Sequence, residues 1–394
     1  MDQESFYLDY NATSPLSQSV LNWLKSGDVF FGNPSSQHSF GKYARKVINE
    51  SRADIIKSFQ FHKKDPRLFF HSGATEAMIT FAYSFSEWAR LSGRELLICF
   101  SKLDHPAVTS LADHFFGPHV KMLELKIDQS LGYDFNFNLK NIKDKKENNP
   151  DLIILYHHLW VHNETGIVSP LNSLEILKEI PDLFIHIDAV QSPGKISDWR
   201  ELKVGDIFSF SAHKFGALKG LGFSLLSNEV TFFPLITGGG QQNGFRSGTE
   251  NALGVKSISL ALKDLDAINI DHILEVRNRL EILLVKELKG IGGVISQIGK
   301  FRNSNTIYFY FDSLSSDIAL AFFDLNGLMI SSGSACSSGA AKDSAIMKHL
   351  GFKKEAKNGL RLSLPFTLNK NEADIIEQKL SEILIKLKGS QYII

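Results

Sequence analysis

Cysteine is nearly absent, with two residues in a chain of 394, Cys99 and Cys336. Two thiols cannot build a disulfide framework, and no C-x-x-C pair exists to hold zinc or to run dithiol exchange, so a reducing cytoplasmic location is expected. An excess of one charge is missing too. The 43 Lys and Arg residues balance 43 Asp and Glu, which offers no basic face to nucleic acid or to an anionic membrane. No apolar run approaches the roughly 18 residues of a membrane span. The N-terminus MDQESFYLDY has neither the basic flank nor the apolar stretch of a secretory signal. The triplets Asn11-Ala12-Thr13 and Asn163-Glu164-Thr165 look like glycosylation acceptors and, without export, need another explanation. The phosphate loop G-x-x-x-x-G-K-[ST] is absent, as is G-x-G-x-x-G after a strand, so nucleotide-binding readings lose ground.

The length suggests two or three structural units, and 43% hydrophobic residues support a sizeable core. Seven β-branched and aromatic runs occur between about residues 67 and 226: RLFFH, ELLICF, HVKMLEL, LIILY, LFIHI, DIFSF and GFSLL. Most are continuously apolar, as strands covered on both faces are, and helical patterns such as Ala74 to Leu91 and Pro170 to Glu179 separate several of them. A largely parallel α/β sheet follows, whose last strand is close enough behind its predecessor to be antiparallel. Lys140 to Asn149 reads as a solvated charged connector. Beyond Gly238 to Gly240 the texture changes to a long helical stretch near Ser257 to Lys289, a strand TIYFYF and a final helix Lys370 to Lys388. The expected division is a large unit, 13–255, and a smaller α+β unit of 1–12 and 256–394.

The chemistry concentrates at strand ends. In SFSAHKFGALKGLGF a strand stops in small, hydroxylated residues and Lys214 follows His213 directly. A lysine after a strand is more often a solvated charge; a mechanism that needs an amine, a Schiff base with pyridoxal phosphate, reverses that reading. That cofactor also needs an acid at its ring nitrogen. Asp188, ending LFIHID, stands where ligands bind parallel sheets, and Gln191 follows one turn later. Taken alone, Asp188 is as readily the cap of the next turn. HSGATEA, His71 to Ala77, leads a strand through glycine into a helix start that favours an anion, although simple capping would look alike. Cys336 sits among Ser332, Gly333, Ser334, Ser337, Ser338 and Gly339, a polar loop unlike the apolar run around Cys99, which reads as structural. His105, in KLDHPAV, by itself suggests a turn hydrogen bond as readily as chemistry.

Taken in order, YLDYNATSP, GNPSSQHSFGKYA, HSGATEA, DHPAV, VHNETG, HIDAVQSPGK, SFSAHKFG, GGGQQNGFRSGTEN, SSGSACSSG and LRLSLPF resemble the cysteine desulfurases of the iron-sulfur-cluster type, class V aminotransferases among the fold type I pyridoxal phosphate enzymes. The resemblance implies a seven-stranded, mostly parallel sheet in the large unit. It makes Lys214 the Schiff-base lysine, Asp188 the partner of the ring nitrogen, and His105 the imidazole stacked on the ring. Gln191 and Asn163 become contacts near the ring hydroxyl, with Asn163 also near substrate. Ala74, Thr75, Ser211 and His213 fall at the cofactor phosphate, with Thr249 reaching the neighbouring subunit's phosphate in a homodimer. Arg361 becomes the clamp on the carboxylate of L-cysteine, and Cys336 the nucleophile whose persulfide passes to an acceptor protein, a scaffold or a thiotransferase. No metal is implied. The motif usually written GGGQERG is here GGGQQNG, proline stands at 365 where glycine is common, and His162 replaces a frequent asparagine. A selenocysteine lyase or aminotransferase would keep Lys214 and Asp188 without needing Cys336, and a non-catalytic sulfur-relay protein would keep only the fold. Lys219 is expected to lie too far along the chain to replace Lys214.

Overall fold

The structure, a computed structural model, describes residues 5–28, 30–114, 116–127, 133–295, 301–333, 344, 347–348 and 357–389. All seven β-rich runs are strands of one sheet, in the order Arg67–His71, Gly222–Leu226, Ile207–Ser211, Leu183–Asp188, Ile153–Leu159, Leu96–Ser101, Val120–Leu125. Gly222–Leu226 alone runs against its neighbours, because the short connection from Ser211 leaves no room for a parallel crossover. Alternate residues bury on opposite faces. Leu68, Phe70, Ile154, Tyr156, Phe208 and Phe210 pack into one core, whereas Phe69, Ile98, Ile153, Leu155 and Ile207 pack into the other. Each such side chain contributes roughly 1.5–3 kcal/mol by leaving water.

The helix Ala74–Ser92 covers the second face and ends at Gly93 in the left-handed region. At the edge strand, Gln242 bonds both backbone groups of Phe70, accepting from its N–H at 2.6 Å and donating to its carbonyl at 2.9 Å. A glutamate there would only accept, so the departure from the family pattern gives the open edge a side-chain substitute for a neighbouring strand.

Three expectations need correction. The charged stretch 140–149 lies largely within a helix, Phe135–Asn148. Asp134 caps it by accepting from Phe137 N at 3.1 Å, while Ile142 is buried and Lys146 donates to Leu152 O at 2.7 Å. Leu171–Glu179 is a 3₁₀ rather than an α-helix, which brings the buried Leu171, Leu174 and Leu177 onto one side at spacing three. The stretch near 257–289 divides into Ala252–Asp264, a 3₁₀ turn Leu265–Ala267, and Ile270–Glu287, which Asn269 caps through His272 N at 3.0 Å.

The C-terminal part forms a four-stranded antiparallel sheet, Gly292–Val294, Thr306–Phe311, Gly359–Ser363, Ser331–Ser332. The helix Lys370–Lys388, opened by a reciprocal Asn369–Glu372 capping box, buries Ile376, Leu380, Ile383, Leu384 and Leu387 in its core. Leu8 joins that core, and Phe6–Tyr7 pairs with Leu328–Met329. Among the described residues no helix is long and apolar enough to cross a membrane. The C-terminal ends of three strands, at His71, Ser211 and Asp188, meet along one edge of the large sheet.

Candidate active site

That edge opens into a cavity of about 570 Å³. Lys214, Asp188, His105, Asn163, Gln191, Ser211, His213, Ala74 and Thr75 all line it, so nine side chains scattered over the sequence converge as expected. Lys219 lines it as well, contrary to the sequence expectation.

Lys214 ends a single 3₁₀ turn, Ala212–Lys214, inserted between the two antiparallel strands. Gly216, at φ +93°, reverses the chain beside Ser17, a conformation that costs a glycine little. The lysine amine donates to Asn11 O at 2.9 Å and Ala12 O at 2.8 Å. His213 packs beside it with Nδ1 3.1 Å from Thr13 Oγ1, and burial, then the positive charge of Lys214, pushes its imidazole down to about 4. Gly222 makes the turn's return possible, because a Cβ there would lie 2.5 Å from Phe210 O and 2.6 Å from the His71 ring.

Asp188 accepts from Val190 N at 3.0 Å. Burial pushes its carboxyl up to about 6, against the lowering effects of that amide and of Lys214. A buried acid so poorly compensated has strong reason to pair with a cation entering the cavity. His105 caps the short helix Pro106–Thr109, its Nδ1 accepting from Ala107 N at 3.1 Å. Burial, reinforced by Lys214, lowers its imidazole to about 4, so at neutral pH the ring is uncharged and its proton resides on Nε2. Its neighbour Asp104 is buried, accepts from Ser101 N at 2.7 Å, and is pushed up to about 7 mainly by burial.

Arg361 lies in the strand Gly359–Ser363 and is 1% exposed. Its Nη2 donates to Asp9 Oδ1 at 2.6 Å and its Nη1 to Asn163 O at 3.2 Å, which links it to the cavity although it is not among the lining residues. Thr249 is exposed and does not line this chain's cavity. Cys336 lies outside the described residues. Cys99 is fully buried in its strand, where burial raises its thiol.

Sequence reasoning missed several contributors. The Asn11 carbonyl accepts from both Lys214 and Gln191 Nε2, each at 2.9 Å, and Asn11 Nδ2 reaches Asn163 O at 3.1 Å. The unexplained Asn11-Ala12-Thr13 triplet drew attention to the Asn11 side chain, but nothing in the residue types pointed to its carbonyl. Glu164, in the other triplet, is half-buried, accepts from Ser344 Oγ at 2.5 Å, and is raised to about 7 chiefly by desolvation.

The residues fit pyridoxal phosphate. An amine, a buried acid seeking a cation, and the start of the helix Ala74–Ser92, whose first N–H groups have no intrahelical partners, suit its aldehyde, ring nitrogen and phosphate. Among the described residues no group of three His, Cys, Asp or Glu side chains could hold a metal ion. A larger cavity of about 1420 Å³ lies against the helix Ile270–Glu287 but collects none of the predicted site residues.

Residues 6–376 match the aminotransferase class-V family. The chain is 32% identical over 391 residues to the cysteine desulfurase IscS of Dictyoglomus turgidum, covering 97% of this chain and 95% of the relative. It is 33% identical over 352 residues to the putative cysteine desulfurase IscS 1 of Bacillus subtilis, covering 87% and 88% respectively. A solved NifS-like protein superposes with a TM-score of 0.81 at 25% identity, covering 97% of this chain and 100% of that structure.

Proposed function

The chain belongs to the aminotransferase class-V family, and from that premise we propose that it is a pyridoxal-phosphate-dependent cysteine desulfurase working in the cytoplasm. The observation that carries this reading is the convergence of Lys214 and Asp188 on one cavity at the C-terminal edge of the sheet. In this reading residues 13–255 would form the cofactor-binding unit, with 1–12 and 256–394 as the smaller one, although the helix Ala252–Asp264 runs across that boundary and packs Ile258, Ala261 and Leu262 into the core of the large sheet.

Lys214 would hold the cofactor aldehyde, Asp188 the ring nitrogen, and Gln191 and Asn163 the ring hydroxyl, while Ala74, Thr75, Ser211 and His213 would hold the phosphate. The bound cofactor supplies an electron sink for the pair released at the substrate Cα. With L-cysteine bound, the freed amine of Lys214 would take the proton from the substrate Cα and could return one as alanine forms. Neutral His105 can move protons between substrate and thiol. Arg361, held from behind by Asp9, presents its remaining N–H donors to the substrate carboxylate. The Cys336 thiolate attacks the substrate sulfur; the S–Cβ bond breaks with its electron pair retained by Cβ, which takes up a proton, so the sulfur stays on Cys336 as a persulfide and the two-electron-reduced carbon skeleton leaves as alanine. An acceptor protein, a scaffold or a thiotransferase, then takes the sulfur. The test is to incubate the purified protein with L-cysteine and an excess thiol reductant, which releases the persulfide sulfur as sulfide: sulfide and alanine in equal yield support the reading, and pyruvate-linked transamination overturns it.

Asp188 makes cofactor binding depend on pH with a defined sign. Its carboxyl titrates near 6 before a ligand arrives, so only above that pH is it an anion ready to pair with a pyridinium nitrogen. The affinity advantage of the parent over Asp188→Asn is therefore expected to be largest above pH 7 and to shrink below pH 6. Comparing the two proteins cancels the titration of the cofactor phosphate. A ratio independent of pH would reject Asp188 as the ring-nitrogen partner.

A homodimer with shared sites is part of the same reading. Exposed Thr249 is free to act on a second copy, and the pair Phe31 and Phe40, 82% and 55% exposed with ring centroids 4.9 Å apart and planes tilted by 32°, gives such a copy an apolar footing. Thr249→Ala is expected to weaken cofactor retention by about 1–3 kcal/mol, the loss of one phosphate bond. Mixed with Lys214→Ala under exchange conditions, it should yield a heterodimer whose intact Lys214 site takes its threonine from the other chain and retains cofactor like the parent. No recovery in a verified heterodimer would reject the shared site.

A further inference from the structure

Lys195 is 0% exposed, buried just beyond the strand that ends at Asp188. Its backbone is fixed at both ends: its N–H donates to Ser192 O at 3.1 Å, and its carbonyl accepts from Ser304 N at 2.8 Å. The amine donates to Gln191 Oε1. Lys195 lines the larger cavity and Gln191 the smaller, so this bond spans the wall between them.

The Gln191 amide has two ends with opposite requirements. Its oxygen faces the Lys195 amine, and its nitrogen faces the Asn11 carbonyl at 2.9 Å. Turned over, the amide would set its oxygen against the Asn11 carbonyl oxygen, two acceptors together, and would lose the N–H donation from Lys195 to Oε1. Of the two hydrogens on Nε2, Asn11 takes one, and the other remains as a donor on the cavity side.

We propose that Lys195 is a positioning residue, which locks the Gln191 amide with its N–H₂ toward the cofactor. This rests on the reading of the cavity as a pyridoxal phosphate site. The charges acting on Lys195 are Lys214 and Arg361, both positive, with Asp9 as the anion. Burial first, and then these two cations, lower its pKa well below the ordinary lysine value, so the amine serves as a hydrogen-bond donor without a carboxylate partner. A donor at the ring-hydroxyl oxygen stabilises negative charge there, and that charge is least compensated once the neighbouring nitrogen linked to Lys214 has lost its proton. Fixing Gln191 therefore favours the deprotonated form of the bound chromophore.

The experiment is a spectroscopic pH titration of the visible band of the holoenzyme in the parent, Lys195→Met, Gln191→Ala and the double variant. Lys195→Met keeps side-chain length and removes the donor. Its titration midpoint is expected to rise by about half to one pH unit, less than the roughly one to two units that full loss of a hydrogen bond to a charged atom would bring, because Gln191 is loosened rather than removed. In the Gln191→Ala background the same substitution is expected to move the midpoint no further. Lys195→Gln, which retains an N–H donor, is expected to stay closer to the parent and replaces the methionine variant should that one not fold. A midpoint unmoved by Lys195→Met, or a shift that persists without Gln191, would overturn the positioning role while leaving the cofactor site standing. A parent protein with no visible band at all would overturn the cofactor site itself, and this inference with it, whereas a band that does not titrate would overturn this inference alone.

Discussion

Lys214→Ala protein is expected to come off the column colourless and to turn over L-cysteine at least about 10³-fold more slowly, because one amine serves both as the covalent anchor and as the proton acceptor. Two other lysines bear on the test. Lys219 lines the same cavity, and Lys195 stands behind Gln191 with its amine committed to that amide. Residual colour in the single variant would therefore have to come from Lys219, and Lys214→Ala combined with Lys219→Ala should remove it. A borohydride-sensitive visible band that survives in the double variant would place the anchor elsewhere and remove the central support of the functional reading.

How much of this was legible depends on which physical signal each residue carries. The seven strands were readable because burial on both faces forces continuous apolar runs, and the antiparallel strand because its connection is too short for a crossover. Asp188 ends a strand, and Lys214 and His105 follow strand ends, at the edge where ligands bind; that placement alone left each with an ordinary reading, and the ordered run of motifs around them made them readable. The Asn11 carbonyl was not, since a backbone acceptor leaves no mark on residue type; only the distance from Lys214 Nζ reveals it. Asp9 was equally hidden, because nothing local announces an ion pair to a residue as remote in sequence as Arg361. Within the strands, His71, Ser224, Ser209 and His186 read as interruptions of apolar runs. They form a buried chain with steps of 3.0, 2.8 and 2.8 Å across four neighbouring strands. Nothing local singles out Lys195, which follows a glycine, and only the fold shows it fully buried.

Cys336→Ser is expected to bind cofactor and substrate normally and to lose sulfur transfer by roughly 10³-fold or more, the scale seen when a covalent nucleophile is removed. A serine hydroxyl is scarcely ionised near neutral pH, and an oxygen–sulfur bond does not provide the exchangeable persulfide that a thiolate forms. Cys99, the one other thiol in the chain, cannot substitute: it is fully buried within the central sheet, and burial raises its pKa, so it stays protonated. The measurement pairs two readouts on the same sample. The change in visible spectrum on adding L-cysteine reports substrate engagement with the cofactor, and alanine and sulfide report turnover. The expected variant shows the first and lacks the second. If alanine and sulfide instead appear at the parent rate, the S–Cβ bond is breaking without an enzyme thiol. A lyase chemistry that uses Lys214 and Asp188 alone would then be the correct account of the site.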